Sequence, residues 1–521
     1  MHYWAPHTRH VAFYKDKADL FFYMTHTNLI RLVFVAVFVR LLLLAFSPLM
    51  DTTEARYAEV ARLMVELNDW VTPWFTYDVP FWGKPPLSFW VTAVSFNIFG
   101  INEFAARFPH WLAGMIVLWI VWGMKSRSDA TDASYPVVLL IGSVMFFIAT
   151  GAVMTDMVLV IGTTLCMRGF WNGLYGALAR RRSERWLLFI GMGIALLAKG
   201  PVGIVLAGLA CGLWTLISGN LRSVWRDLPW IRGGLITLAI ALPWYVIAEL
   251  RSPGFIDYFI VGEHFHRFVT PGWSGDLYGK AHANPYGTIW LYLIVVVMPW
   301  TILLPILAWQ TRGSLTGAPP VQSTASSHHT VDSDSNVSAV PFRNYLILWA
   351  FMPAFFFTMA GNIIWPYVLP GLPALALLMG GWLTTRANQK IVRLNLAIGL
   401  LITITVTVSF NISMPLTGRS TNLAAKTLIE DYQSQMPGDR PLIYLGQRPF
   451  SAAFYSRGHA QLEKTPEALV QRLNTTPAYV AIRSSYLTYM PPALLESLDR
   501  LSVHGHFTLF VTKSSHIVPP G

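Results

Sequence analysis

Residues 178–219 read LARRRSERWLLFIGMGIALLAKGPVGIVLAGLACGLWTLISG. Arg180, Arg181, Arg182 and Arg185 precede an apolar run, Lys199-Gly200-Pro201 follows it, and a second apolar run comes next. Proline is favoured at the first position of a helix, so a new helix starts at Pro201. Runs of this length and polarity, with few charges inside, read as segments that cross a bilayer core needing about 20 apolar residues. The stretch therefore predicts two membrane helices joined by a short turn, with arginines at one end and a lysine at the other.

Working outward, the same pattern fills most of the 521 residues. Hydrophobic residues make up 54% of the chain and charged residues only 12%. A soluble domain usually carries about 25% charge, so this chain cannot coat several soluble globules with ions. Mean hydropathy is +0.46. Apolar runs fall near 29–49, 107–124, 135–152, 157–178, 186–198, 201–218, 233–250, 286–308, 343–360, 366–383 and 394–415. The fold class is an all-α polytopic membrane protein with about 11 to 13 crossings. The net charge of +11 fits the excess of Lys and Arg in cytoplasmic loops, and nucleic acid is not needed to explain it. Cys166 and Cys211 both sit in apolar runs and read as neither a disulfide nor metal ligands.

The basic clusters set the orientation. Lys125 with Arg127, Arg180 to Arg185, Arg222 with Arg226 and Arg232, and Arg386 with Lys390 and Arg393 share the side of the N-terminus, provided that run 86–100 does not cross. That side is the cytoplasm. Residues 1–28 form a cytoplasmic N-terminal segment and 29–415 the membrane domain. Its outer face carries loops 50–106 and 251–285, with 86–100 lying flat or dipping in. Residues 310–342 are rich in Ser, Thr, Gly and Pro and read as a disordered cytoplasmic linker, with His328 and His329 solvated. In 416–521 helix-like runs (423–435, 449–457, 465–474, 492–501) alternate with strand-like runs (441–446, 478–483, 506–512), which predicts a small C-terminal α/β domain on the outer face.

Charged motifs collect on the outer face. Tyr57, Val60, Ala61, Met64 and Leu67 recur at helical spacing after the first span, predicting an amphipathic helix on the membrane surface. Asp51, Glu54, Arg56 and Tyr57 gather at its start, where Asp51 also suits a helix cap and Glu54 the helix dipole. Lys84 stands before Pro85-Pro86 as Lys199 stands before Pro201. Each places a cation by free helix N–H groups, an arrangement that attracts phosphate; a lysine at a span end also snorkels. Asp156 opens a span, where a carboxylate is expensive and often functional, or caps the helix. Loop 251–285 holds Glu263-His264-Phe265-His266-Arg267, with Glu263 and Arg267 spaced to pair along a helix. Tyr367 lies at the outer end of a proline-rich span, a position that also suits the aromatic belt. Cations beside helix N-termini suit a phosphate that gains charge as it leaves, and carboxylates suit proton removal or acceptor placement. No phosphate-binding glycine loop of the nucleotide enzymes is present.

In order, TEARYAEVARLM (53–64), WGKPPLSFW (82–90), GINEFAARFP (100–109), MTDMVL (154–159), LAKGPVG (197–203) and PYVLPGLPALALL (366–378) resemble the bacterial branch of the protein O-mannosyltransferase-like superfamily of GT-C glycosyltransferases. The motifs are closest to those of the lipid A aminoarabinose (ArnT-type) transferases. The resemblance implies a GT-C fold and inverting transfer of a monosaccharide from a polyprenyl-phosphate donor to lipid A, another envelope glycan or a protein. It implies Asp51 or Glu54 as the first-loop acid and Asp156 as the second. Arg56, Lys84, Lys199, Arg267 and Tyr367 would hold the donor phosphate, with Tyr57 beside them and His264 at the position of a loop histidine. Aminoarabinose transferases read Glu-Lys-Pro where this chain has Gly83-Lys84-Pro85, which removes the glutamate that pairs with that histidine at a divalent metal. They also read Asp-Glu-x-Arg-Tyr where this chain has Thr53-Glu54-Ala55-Arg56-Tyr57. The rival of another class is a lipid or solute transporter, for which Arg40, a charge inside the first span, is the one suggestive residue.

Overall fold

A computed structural model describes residues 24–124, 133–279, 282–311, 339–386, 388–434 and 440–513. Lys125, Arg127, His328, His329, most of the 310–342 stretch and residues 1–23 lie outside the described residues.

Each of the eleven apolar runs is helical, although they differ in length and continuity. Among the described residues, six helices are long and apolar enough to cross a membrane, and a bent pair makes seven. That pair is Thr288–Val296 and Trp300–Gln310, at 68° to one another. Pro299 lies at the break, and a proline removes the N–H that would continue the helix. Run 135–152 is also broken, into Ser134–Ile141 and Val144–Ala149. The indole of Trp300 donates to the Leu139 carbonyl beside this break (2.7 Å). Pro201–Ile217 is apolar but shorter than a full span, and Leu178–Lys199, 22 residues long, begins in the arginine cluster.

Helices Asp156–Tyr175 and Leu178–Lys199 form a tight antiparallel hairpin. A Cβ built on Gly162 would come within 2.8 Å of the Ala195 nitrogen, and one on Gly169 within 2.2 Å of the Leu188 nitrogen. Small residues let the two backbones touch, the contact that substitutes for hydrophobic driving force between helices in lipid. The hairpin fixes Asp156 and Lys199 at one end and the arginines at the other, about 30 Å away at 1.5 Å per residue.

The amphipathic helix of the first loop, Thr53–Glu66, is not a surface helix. It is buried along most of its length, including Glu59 and Arg62, which pair inside. Helix Leu87–Phe99 packs on one side, and Phe450 and Phe454 of the tail helix Phe450–Tyr455 join the same apolar cluster. The amphipathic spacing is genuine, but both faces find protein. A short ribbon, β1 (Trp74–Thr76) and β2 (Val79–Pro80), links these helices.

The tail carries a five-stranded sheet: β3 (Leu442–Leu445), β4 (Gln461–Glu463), β5 (Tyr479–Arg483), β6 (Leu498–His504) and β7 (Phe507–Thr512), in the order β4-β3-β5-β7-β6. β3 runs parallel to β4 and β5, and β5, β7 and β6 are antiparallel. Run 492–501, expected to be helical, divides into a turn of helix, Pro492–Glu496, and strand β6, an edge strand in which only Leu498 is buried. β4 is too short to have announced itself in the sequence. The chain is a multi-pass, mostly helical membrane protein with a small C-terminal α/β unit.

Candidate active site

Five segments distant in sequence bring polar side chains, charged ones in four of the five, to one end of the helices. Lys84 lies just ahead of helix Leu87–Phe99, Asp156 is the first residue of its helix, and Lys199 is the last of its own. Tyr367 sits in the 3-10 turn Trp365–Gly371 that enters helix Leu372–Thr384. Glu263 and His264 come from a wide helical turn, Asp257–His266, and Arg267 follows it.

The side chains are tied together in pairs. Lys199 Nζ lies 2.5 Å from Asp156 Oδ1 and over the Tyr367 ring, 4.7 Å from its centroid. Lys84 Nζ donates to Glu263 Oε2 (3.0 Å) and to the Gly83 carbonyl (2.5 Å). Arg267 donates to both oxygens of Glu263 (3.0 and 3.1 Å) and reaches Asp276 (3.3 Å). Burial pushes the Glu263 carboxyl up, but Lys84 and Arg267 outweigh it and bring it down to about 2. Burial lowers the His264 imidazole below its ordinary value. Its Nδ1 is 2.7 Å from the Phe259 carbonyl and its Nε2 3.3 Å from the Lys199 carbonyl. Gly200 makes this possible. Its φ is +85° and ψ −157°, a region almost confined to glycine. A Cβ there would meet the Phe259 ring at 2.6 Å and His264 at 3.0 Å.

These groups line one cavity of about 430 Å³ with two unlike ends. Lys84, Lys199, Glu263, His264, Arg267 and Tyr367 form the polar end. Val202, Val205, Leu206, Phe268, Val269 and Phe356 form an apolar trough. Val205 and Val269 are exposed along it, so the trough opens on the outer surface of the helices. Asn362 holds the loop, donating to the Arg267 and Thr270 carbonyls (2.6 and 2.7 Å).

Of the residues singled out in the sequence, Lys84, Lys199, His264, Arg267 and Tyr367 line the cavity, with Asp156 behind Lys199. Four lie elsewhere. Asp51 accepts from the Ser451 amide (3.0 Å) and hydroxyl and fastens the tail helix; burial pushes its carboxyl up, and Ser451 only partly offsets this. Glu54 forms a two-pronged pair with Arg107 (2.8 Å each) and accepts from the Met50 and Val153 amides. Burial raises its carboxyl, but Arg107 outweighs that and leaves it below the ordinary carboxylate range. Arg56 donates to the Tyr278 carbonyl (2.7 Å), and Tyr57 packs edge-on to Phe81 and Phe89. Sequence reasoning missed the central place of Glu263. Its spacing to Arg267 was visible, but its second cation, Lys84, is 179 residues away. It also missed Asp276, Asn362 and Arg107, for which spacing gave no signal.

Against known proteins, residues 83–247 match the family model described as dolichyl-phosphate-mannose-protein mannosyltransferase, a stretch that includes Lys84, Asp156 and Lys199. The chain is 26% identical over 360 residues to the undecaprenyl phosphate-alpha-4-amino-4-deoxy-L-arabinose arabinosyl transferase of Edwardsiella ictaluri, covering 67% of this chain and 58% of that one. It is 28% identical over 399 residues to the protein of the same name from Yersinia pestis, covering 72% and 62%. It thus spans about three-fifths of the length of these curated relatives. Among solved structures, ArnT from Cupriavidus metallidurans superposes with a TM-score of 0.73 in the apo state and 0.72 bound to undecaprenyl phosphate. Each has 20% identity and covers 94% of this chain and 99% of that one. The chain has an ArnT-like GT-C fold. The likeness in fold extends over 94% of this chain, beyond the stretch of about 29–383 that carries the six motifs.

A divalent metal of the kind the ArnT-type resemblance implies would need a carboxylate beside His264. Position 83 is glycine, and a Cβ there would lie 2.9 Å from the Phe81 ring. Glu263 is already engaged by two cations, and both His264 nitrogens face carbonyls. Among the described residues no three His, Cys, Asp or Glu side chains gather to hold an ion. The donor set does not fit a metal.

Proposed function

We propose that the chain is an inner-membrane glycosyltransferase. It moves a monosaccharide from a polyprenyl-phosphate donor to lipid A or another envelope glycan on the periplasmic side, with inversion at the anomeric carbon. The observation that carries this reading is the two-ended cavity, with an apolar trough for an isoprenoid tail and three cations for its phosphate. The arginine-rich end of helix Leu178–Lys199 lies opposite the cavity, which supports a periplasmic site under the positive-inside rule.

In the transfer, an acceptor oxygen bonds to the anomeric carbon as the bond from that carbon to the phosphate oxygen breaks. The electron pair leaves with polyprenyl phosphate, which goes from a singly charged diester to a doubly charged monoester. Lys84, Lys199 and Arg267 act on that added charge, and each is already oriented by a carboxylate, so little reorganisation is needed. Glu263 is a poor base with its carboxyl near 2, since a general base works best near the operating pH. Asp156 serves as a positioning residue for Lys199. Among the described lining residues Glu263 is held by two cations and both His264 nitrogens face carbonyls, which favours an acceptor that brings its own negative oxygen, such as a phosphate of the envelope lipid.

Mass spectrometry of lipid A from cells with the wild-type chain, without it, and with Lys84→Ala tests this. The expected result is a sugar-mass shift in the wild type that falls about a hundredfold with Lys84→Ala, the scale of one lost charge-stabilising donor. Unchanged lipid A together with unchanged envelope glycan and protein would overturn the reading in favour of transport.

A further inference from the structure

The tail sheet contains a second cavity, away from the membrane helices. From β3 the chain crosses to β4 on one side, then returns past β3 to β5 on the other. The crossover helices sit on opposite faces. Ala452 of the first packs with Leu442 and Tyr444, whereas Leu469 of the second, in Pro466–Leu473, packs with Ile443 and Leu445. β3 and β5 are therefore neighbours whose connections part to opposite faces, which opens a crevice beyond their carboxyl ends. In open α/β sheets this is where ligands bind. A cavity of about 480 Å³ lies there, lined by residues that follow β3 (Gly446, Gln447), β4 (Lys464) and β5 (Tyr486, Met490).

Its chemistry is selective. Lys464 is exposed, and none of the described lining residues is acidic, so an anion is favoured. Gln447 adds an amide that both donates and accepts. Tyr486 is 42% exposed on a 3-10 turn, Ser484–Tyr489, that buries no residue. Tyr489 is 79% exposed and stands three residues on, along the same edge of that turn. An aromatic ring with an apolar face and a wet hydroxyl, beside an amide and a cation, suits a sugar ring carrying a negative group. Gly446, with φ +80°, leaves the floor without a side chain.

We infer that this crevice is a binding subsite for an anionic glycan, a sugar bearing phosphate or carboxylate. As a distal contact for the acceptor it rests on the proposed transferase reading; as a binding site it does not. The loop 446–449 runs from the crevice directly into helix Phe450–Tyr455, which Ser451 ties to Asp51 at the start of the first loop. A glycan held here is anchored to the membrane domain.

Saturation-transfer NMR on the full-length protein in detergent tests the site, with glucosamine 1-phosphate as probe and uncharged N-acetylglucosamine as comparison. Measured in a Lys199→Ala/Arg267→Ala background, which removes the phosphate contacts of the membrane-domain cavity, the phosphorylated probe should still bind and the uncharged sugar should bind less. The probe's affinity should fall about tenfold in Tyr486→Ala and in Lys464→Glu, the scale of one lost ring or charge contact, and Tyr486→Phe should restore most of it. In that background, binding that survives both crevice variants, or that is absent before they are introduced, would overturn the inference. Lack of sugar transfer by a wild-type protein that binds the probe would count against the transferase reading and leave the subsite standing.

Discussion

Glu263 holds Lys84 and Arg267 on one carboxylate, and most of the polar end of the cavity depends on it. Its carboxyl is depressed from 4.5 to about 2, so its ionisation adds stability that is fully present above 4.5 and is lost as pH falls through about 2. Glu263→Gln takes the shared carboxylate from two partly buried cations, leaving Arg267 only Asp276, and should cost about 2–3 kcal/mol at neutral pH. Thermal unfolding in detergent from pH 7 to 3 should show a constant gap between wild type and variant down to about 4.5, then a narrowing one. A gap that widens toward acid would mean that Glu263 is not the partner described. At this scale the sequence was legible where a charge is out of place in an apolar setting, as for Lys84, Asp156 and Lys199. It was not legible where a role depends on a partner far along the chain. Asp51 and Glu54 read as candidate acids because they sit beside Arg56; the structure pairs them with Ser451 and Arg107, far along the chain, and neither lines the cavity.

The elements that matter most are turns between helices. Lys199-Gly200-Pro201 ends one helix with a cation and starts the next with a proline, and Gly200 permits Phe259 and His264 to lie against the bend. Gly200→Ala should therefore cost about 1–3 kcal/mol in stability, because alanine rarely adopts this backbone region. It should also lower transfer, because His264 must move. Transfer assays beside unfolding curves check both, and a variant with wild-type stability and activity would contradict the packing. The helices were legible from apolar length, and the tail strands β3, β5 and β7 from their short apolar runs. The break at Gly142–Ser143 and the 68° bend at Pro299 were not, because an apolar run looks the same straight or bent. β6 was misread because it is an edge strand with only Leu498 buried, so it carries no alternating apolar face.

For the whole molecule, the proposed orientation has the cavity and the tail on one side of the membrane and the arginine clusters on the other. The native cysteines are both buried, so an added cysteine reports alone. In spheroplasts an impermeant maleimide should label Ser485→Cys in the tail, and should label Ser183→Cys only after lysis. The reverse pattern would invert the orientation. The overall class was legible from composition, since 12% charge leaves no soluble alternative for 521 residues. The enclosure of helix Thr53–Glu66 was not, because the tail that covers it is almost 400 residues away.

The central claim is that the cavity takes a polyprenyl phosphate by its cations. Native mass spectrometry of the purified chain with undecaprenyl phosphate tests it without knowledge of the sugar or the acceptor. Wild type should retain the lipid, and Lys199→Ala combined with Arg267→Ala should weaken binding by about a hundredfold or more, as expected for two lost charge-assisted contacts. Equal retention by wild type and the double variant would contradict the account.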